Sequence, residues 1–217
     1  MEAIETVEYK GYEIMMYQDE DPQNPRDDDN LGVMLCKHSR YDLGDIKESK
    51  AMNHEEIKEY VKRKDVISLS LYLYDHSDLY LKSSRNGNPW YGILPQGHAE
   101  FDSGLVGYIT VTKDKVLKEW SKKKMSKALM EKAFKLLESE IQIYADYLAG
   151  NVVGYMIEKD GEHISSCWGF YPEHHNGSNG FEYMIKGCKG QIDYDITKEA
   201  AYVSEITVIE HGEEGTD

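Results

Sequence analysis

The chain has little of what usually marks a chemistry. Its three cysteines, Cys36, Cys167 and Cys188, are far apart and form no CxxC or Cys/His framework. That spacing argues against a zinc module and a disulfide scaffold, and predicts buried free thiols in a reducing cytosol. Cys167 is included, since it falls in an apolar alternating segment and not in an electropositive setting. Eight histidines occur without an HExxH pattern or an i, i+4 histidine pair. His174 and His175 fall in a polar loop. Asp27, Asp28 and Asp29 lack the spacing of a calcium loop. No metal and no cofactor is expected. No GxSxG elbow makes Ser103 a nucleophile. No glycine-rich phosphate loop is present, and 92–97 does not supply one. No apolar run approaches 18 residues, so no membrane helix is expected. The acidic N-terminus lacks a signal-peptide core, which points to the cytoplasm.

Basic residues are also scarce, with 25 Lys and Arg against 40 Asp and Glu. Nine of the lysines lie between Lys113 and Lys135, where only Asp114, Glu119 and Glu131 oppose them. That stretch is net +6, so the remainder carries −21. Such a field disfavours direct nucleic-acid binding over most of the surface and favours a basic partner. Plain solubility is the competing reading. Seventeen tyrosines suit half-buried strands and interfaces.

The patterning predicts an α+β fold: a mainly antiparallel sheet packed against one long amphipathic helix, with shorter helices. Val7 to Met16 alternates around Gly11 and reads as a strand pair or bulged strand. Asp19 to Asn30 is a loop. Leu31–Cys36 is a strand, and 38–50 is irregular. Asn53 caps a helix to Arg63, with Glu56 completing a capping box. Ile67, Leu69, Leu71 and Leu73 alternate in the clearest strand, Val66–Tyr74. A long loop spans 83–97. Leu105–Thr112 is a strand, and Thr112 caps a short helix to Trp120. Met130, Phe134, Leu137, Ile141, Tyr144 and Leu148 form the stripe of the main helix, Ser126–Ala149, which Gly150 ends. Asp160-Gly161 turns a hairpin of 152–158 and 163–170. A short helix at 181–188, a last strand at 202–209 and an acidic, disordered tail at 210–217 complete the expectation. Residues 1–209 read as one domain, its sheet combining 67–74, 105–112, 152–158 and 163–170.

Polar residues gather at predicted strand ends: Asn30, His38, Arg40, Asp75, His76, Ser77, Asp102 and Ser103. They could line one ligand or catalytic cleft, or form a structural hydrogen-bond network holding the long loops. Both readings stay open.

Several segments, taken in order, carry a resemblance. They include Pro25-Arg26-Asp27-Asp28-Asp29-Asn30-Leu31-Gly32, His38-Ser39-Arg40-Tyr41-Asp42-Leu43-Gly44-Asp45 and Tyr74-Asp75-His76-Ser77. Asp102-Ser103-Gly104-Leu105-Val106-Gly107-Tyr108-Ile109 and Ser166-Cys167-Trp168-Gly169-Phe170-Tyr171 follow. In these the chain resembles a family of small acidic accessory proteins of phages and plasmids. It departs from that pattern at Asp78, where the family has Gly, and in running on well past Tyr171. The resemblance implies an interaction protein that inhibits a host defence nuclease complex of the CRISPR or restriction type. Acidic residues would then mimic nucleic-acid charge on a basic host protein. The expected contacts are Asp19, Glu20, Asp21, Asp27, Asp28 and Asp29, with Tyr17, Trp90, Tyr91 and Tyr171 as aromatic anchors. The other class is a small hydrolase or nucleotide-binding enzyme, working from Asp75, His76 and Asp102. Convergence of Asp29, His76 and Asp102 would favour it.

Overall fold

The computed structural model describes residues 2–94, 97–174 and 180–212. The chain divides into two compact units. Unit 1 comprises residues 1–21 and 152–217, and unit 2, residues 22–151, is inserted between them. The fold class is α+β, and among the described residues every pairing of these strands is antiparallel. The strands form two four-stranded sheets where the sequence suggests one. Alternation reports which residues of a strand are buried but not which neighbour the strand selects.

Unit 1 holds β1 (Glu5–Tyr9), β2 (Tyr12–Gln18), β7 (Val153–Lys159) and β8 (Glu162–Phe170), in the order β1-β2-β7-β8. The β1–β2 hairpin turns at Lys10 and Gly11, both at positive φ, which glycine adopts at little cost. Asp160 and Gly161 turn the second hairpin in the same way. The inserted unit leaves after β2 and returns before β7, which are neighbours. Asp19 N–H donates to Val152 O at 2.9 Å across that exit. Chain ends this close let an insertion fold without a marked linker.

Helix α6 (Glu182–Gly212) covers one face of this sheet. Met184, Cys188 and Ile192, four apart, bury against Tyr12, Ile14, Met16, Val153 and Ile157. The sequence suggests a helix only to 188 and a strand at 202–209. The backbone instead runs on as helix through both, to 212. Ile206-Thr207-Val208-Ile209 is strand-like by propensity. A strand needs a partner edge, whereas a helix pairs its backbone internally. The part of the expected tail beyond 212 lies outside the described residues.

Unit 2 holds β3 (Val33–Cys36), β4 (Val66–His76), β5 (Asp78–Ser84) and β6 (Ser103–Thr112), in the order β3-β6-β4-β5. Ile67, Leu69, Leu71 and Leu73 are buried, as their alternation predicts. The long helix α5 (Lys127–Leu148) packs on this sheet through Leu129, Ala133, Leu137, Ile141 and Tyr144. Ser126 caps it, accepting from Leu129 N–H. The stripe is turned from the expected one: Met130 and Phe134 are only half-buried. Shorter helices are α1 (Ile46–Ala51), α2 (His54–Val61), α3 (His98–Phe101) and α4 (Lys113–Glu119). Asn53 and Glu56 form the predicted capping box, and Thr112 caps α4. Gly107 has no room for a side chain, since a Cβ would lie 2.1 Å from Leu35 O.

Candidate functional site

The acidic loop expected from the sequence is shared between the units. Asp19 closes β2: its carboxylate accepts from Gly169 N–H at 3.1 Å and Asp21 N–H at 3.2 Å. It therefore acts as a clamp, while Glu20 and Asp21 are exposed. Asp27, Asp28 and Asp29 belong to unit 2, Asp27 ending a 3-10 turn at Pro25–Asp27 and the other two following it, and all three are exposed along a cleft of about 460 Å³. Asn30 holds the loop, donating to Pro25 O and Asp28 O, both at 2.9 Å.

Beneath that cleft lies a buried ionic cluster with no counterpart in the sequence reading. Arg26 Nε and Nη2 donate to the two Asp45 oxygens at 2.9 and 3.0 Å, and Nη1 donates to Glu140 Oε2 at 3.2 Å. Glu140 also accepts from Leu31 and Gly32 N–H, and Asp45 from Met34 N–H at 2.8 Å. Burial pulls the Arg26 pKa down, but its bonds to Asp45 and Glu140 outweigh that and raise it. A carboxylate three residues past Leu137 on the buried face of a helix was the available signal. Its partner, 114 positions away, was not. The cluster pairs its charges internally, so its part is to hold the Pro25–Gly32 loop against α5.

The polar residues at the strand ends separate into groups. His38, Arg40, Asp75, Asp102 and Ser103 line one cleft of about 290 Å³ together with Lys37. Arg40 pairs with Asp75, and His38 stacks on Tyr41 at 5.0 Å. Asn30 is in the other cleft. Ser77 is exposed at the β4–β5 turn, with φ +70°. Ser103 is tied down by Asn88 and Ala99 O. His76 ends β4 with its side chain 58% exposed, stacked on Tyr74. It lies 3.8 Å from Asp102, and His98, which the sequence reading passed over, lies 3.4 Å from the same carboxylate oxygen. Asp29 is not part of this group, being on the other cleft. These three are the one group of histidines and carboxylates, among the described residues, close enough to share an ion.

The aromatic anchors are divided between the two units. Trp90 is buried, with Lys82 Nζ 4.2 Å over its ring, because it packs against Tyr74 within unit 2. Tyr91 is 60% exposed. Tyr171 and Tyr17 are half-buried in unit 1. Tyr17 lies 6.5 Å from Trp168, whose ring crosses Gly154 so closely that a Cβ there would meet it at 2.2 Å. Of the thiols, Cys36 and Cys188 are buried as expected, and burial pushes them up to about 12 and about 11. Cys167 is exposed, because β8 is an edge strand with little packed on it.

The acidity itself is concentrated in unit 1. That unit has 5 Lys and Arg against 20 Asp and Glu, net −15, whereas unit 2 has 20 of each and is neutral. On the sheet face opposite α6, Glu8 stands across from Glu13, and Glu13 across from Glu158. The same face carries Met15 beside Met156, then Tyr17 and Trp168. Among the described residues no helix is long and apolar enough to cross a membrane. No family model, curated protein or solved structure matches the chain.

Proposed function

We propose that the chain is an interaction protein whose acidic sheet face docks on the basic nucleic-acid-binding surface of a partner. The in-register row Glu8, Glu13 and Glu158 carries this reading. Like charges directly opposite on neighbouring strands destabilise a sheet. Adjacent strands lie about 4.8 Å apart, so the row repeats negative charge every few ångströms, as a duplex does with one charge per roughly 3.4 Å of helix axis on each strand. Charge gives speed and selectivity of encounter, while lasting affinity needs a desolvated centre. Met15, Met156, Tyr17 and Trp168 on the same face supply that centre. The resemblance to phage and plasmid accessory proteins points to a host CRISPR effector or restriction nuclease, met in the bacterial cytosol. Displacement of labelled duplex from such a purified complex tests this. Displacement should weaken with salt and be lost in the triple variant Glu8→Gln, Glu13→Gln, Glu158→Gln. Displacement indifferent to both would reject the face.

A second reading, a small hydrolase or nucleotide-binding enzyme, is favoured by the cleft joining Lys37, His38 and Arg40 to Asp75 and Asp102. Calorimetric titration with nucleoside phosphates checks it, with Arg40→Ala expected to abolish the heat.

A further inference from the structure

We propose that His76, His98 and Asp102 form a three-ligand site for a divalent transition-metal ion, with zinc as the reference case. The site lies wholly in unit 2 and is independent of the acidic face.

Two elements bring the ligands together. His76 ends β4, His98 opens α3, and Asp102 caps the C-terminus of α3 one turn after His98, so the last two share a helix side at i, i+4. Two backbone bonds fix the frame. Asp102 N–H donates to His98 O at 2.9 Å, and Asp75 N–H donates to Asp102 O at 2.9 Å. The second holds the end of β4, and with it His76, beside Asp102. Stacking on Tyr74, with ring centroids 5.9 Å apart, orients the His76 ring.

The distances suit ligands better than hydrogen-bond partners. His98 Nδ1 to Asp102 Oδ2 is 3.4 Å, beyond the roughly 2.7–3.2 Å of an N–H···O bond. Two ligands each about 2.05 Å from a tetrahedral ion are about 3.3 Å apart. One ring nitrogen of each histidine and one carboxylate oxygen all lie within 4.8 Å of one another. His98 Nδ1 is also buried with no hydrogen-bond partner, an arrangement that is costly unless something occupies its lone pair or proton. An ion between it and Asp102 removes that cost.

Two imidazoles and one carboxylate are borderline donors. They suit zinc and its neighbours rather than calcium or magnesium, which take oxygen ligands. Three protein ligands leave a coordination position open. Asp102 also borders the cleft that holds Lys37 and the Arg40–Asp75 pair.

The test uses the full chain, stripped with a chelator and titrated with zinc against a chromophoric competitor. We expect one ion per chain, bound more weakly in acid because protons compete with the metal for its ligands. His76→Gln and His98→Gln should each weaken binding tenfold or more. Both side chains are more than two-fifths exposed, so circular dichroism should show either variant folded. Asp102→Asn keeps the shape of the third ligand and should weaken binding in the same way. His163→Gln, in unit 1, should change nothing. Cobalt should replace zinc and show the visible absorption of a site with nitrogen and oxygen ligands, which His98→Gln removes. Failure of the wild type to bind stoichiometrically, or unaltered binding by His76→Gln and His98→Gln together, overturns the site.

Discussion

Unit 2 and unit 1 handle charge in opposite ways. In unit 2 twenty acidic residues meet twenty basic ones, and the buried Arg26 pairs with both Asp45 and Glu140. In unit 1 the acids outnumber the bases four to one, and three carboxylates stand in register across adjacent strands. Unit 2 spends its charge on holding loops together. Unit 1 has too few bases to neutralise its acids, and sets three of them side by side on the sheet face opposite α6. The contrast teaches that net charge alone says little about where a partner binds: the −21 outside the lysine-rich stretch includes many acids already paired within unit 2.

The largest effect should come from breaking the unit 2 cluster. Arg26→Ala leaves Asp45 and Glu140 buried without their cation, and should cost about 3–5 kcal/mol. Denaturant unfolding checks this, with Trp90 and Trp120 reporting on unit 2 and Trp168 on unit 1. A shift seen only by Trp168 would contradict the assignment. Gly107→Ala should follow at about 1–3 kcal/mol, since the Leu35 backbone must move to admit the methyl group.

Alkaline pH should sharpen the same contrast. Burial pushes the Cys36 thiol from 9.0 and the Tyr144 phenol from 10.0 up to about 12 each. Folding therefore favours their protonated forms. The stability they contribute is complete below the free-chain values and is lost as pH rises from about 9 to about 12. Unit 1 has the Cys188 thiol, raised to about 11, with smaller upward shifts at Tyr155 and Tyr183. Melting curves from pH 8 to 11 should show the Trp90 and Trp120 signal declining more steeply than that of Trp168.

The smallest effect has the opposite sign. Glu13→Gln relieves two like-charge contacts and should stabilise unit 1 by about 0.2–1 kcal/mol. The same change should slow association with a basic partner, measured as an on-rate at low salt. A variant neither more stable nor slower would show that the row carries no repulsion and serves no docking.

Local order was legible in the sequence because its causes are local. The Asn53–Glu56 capping box, the Thr112 cap, the Asp160-Gly161 turn and the alternation of Ile67 to Leu73 each depend on neighbours within a few residues. Composition likewise set the acidity, and hydrophobic patterning the α+β class. Tertiary structure alone decided which strands share a sheet, since a strand's buried face fits many partners and its edge hydrogen bonds carry no side-chain identity. It placed Trp90 inside and Cys167 outside, and drew Arg26 to Glu140 across 114 positions. It also set His98 beside Asp102 and His76, a grouping that the motif around His76 could not reveal because His98 comes from a different element. The carboxylate row has the same origin: Glu8, Glu13 and Glu158 are scattered in the chain, and only the pairing of β2 with β1 and β7 puts their charges side by side.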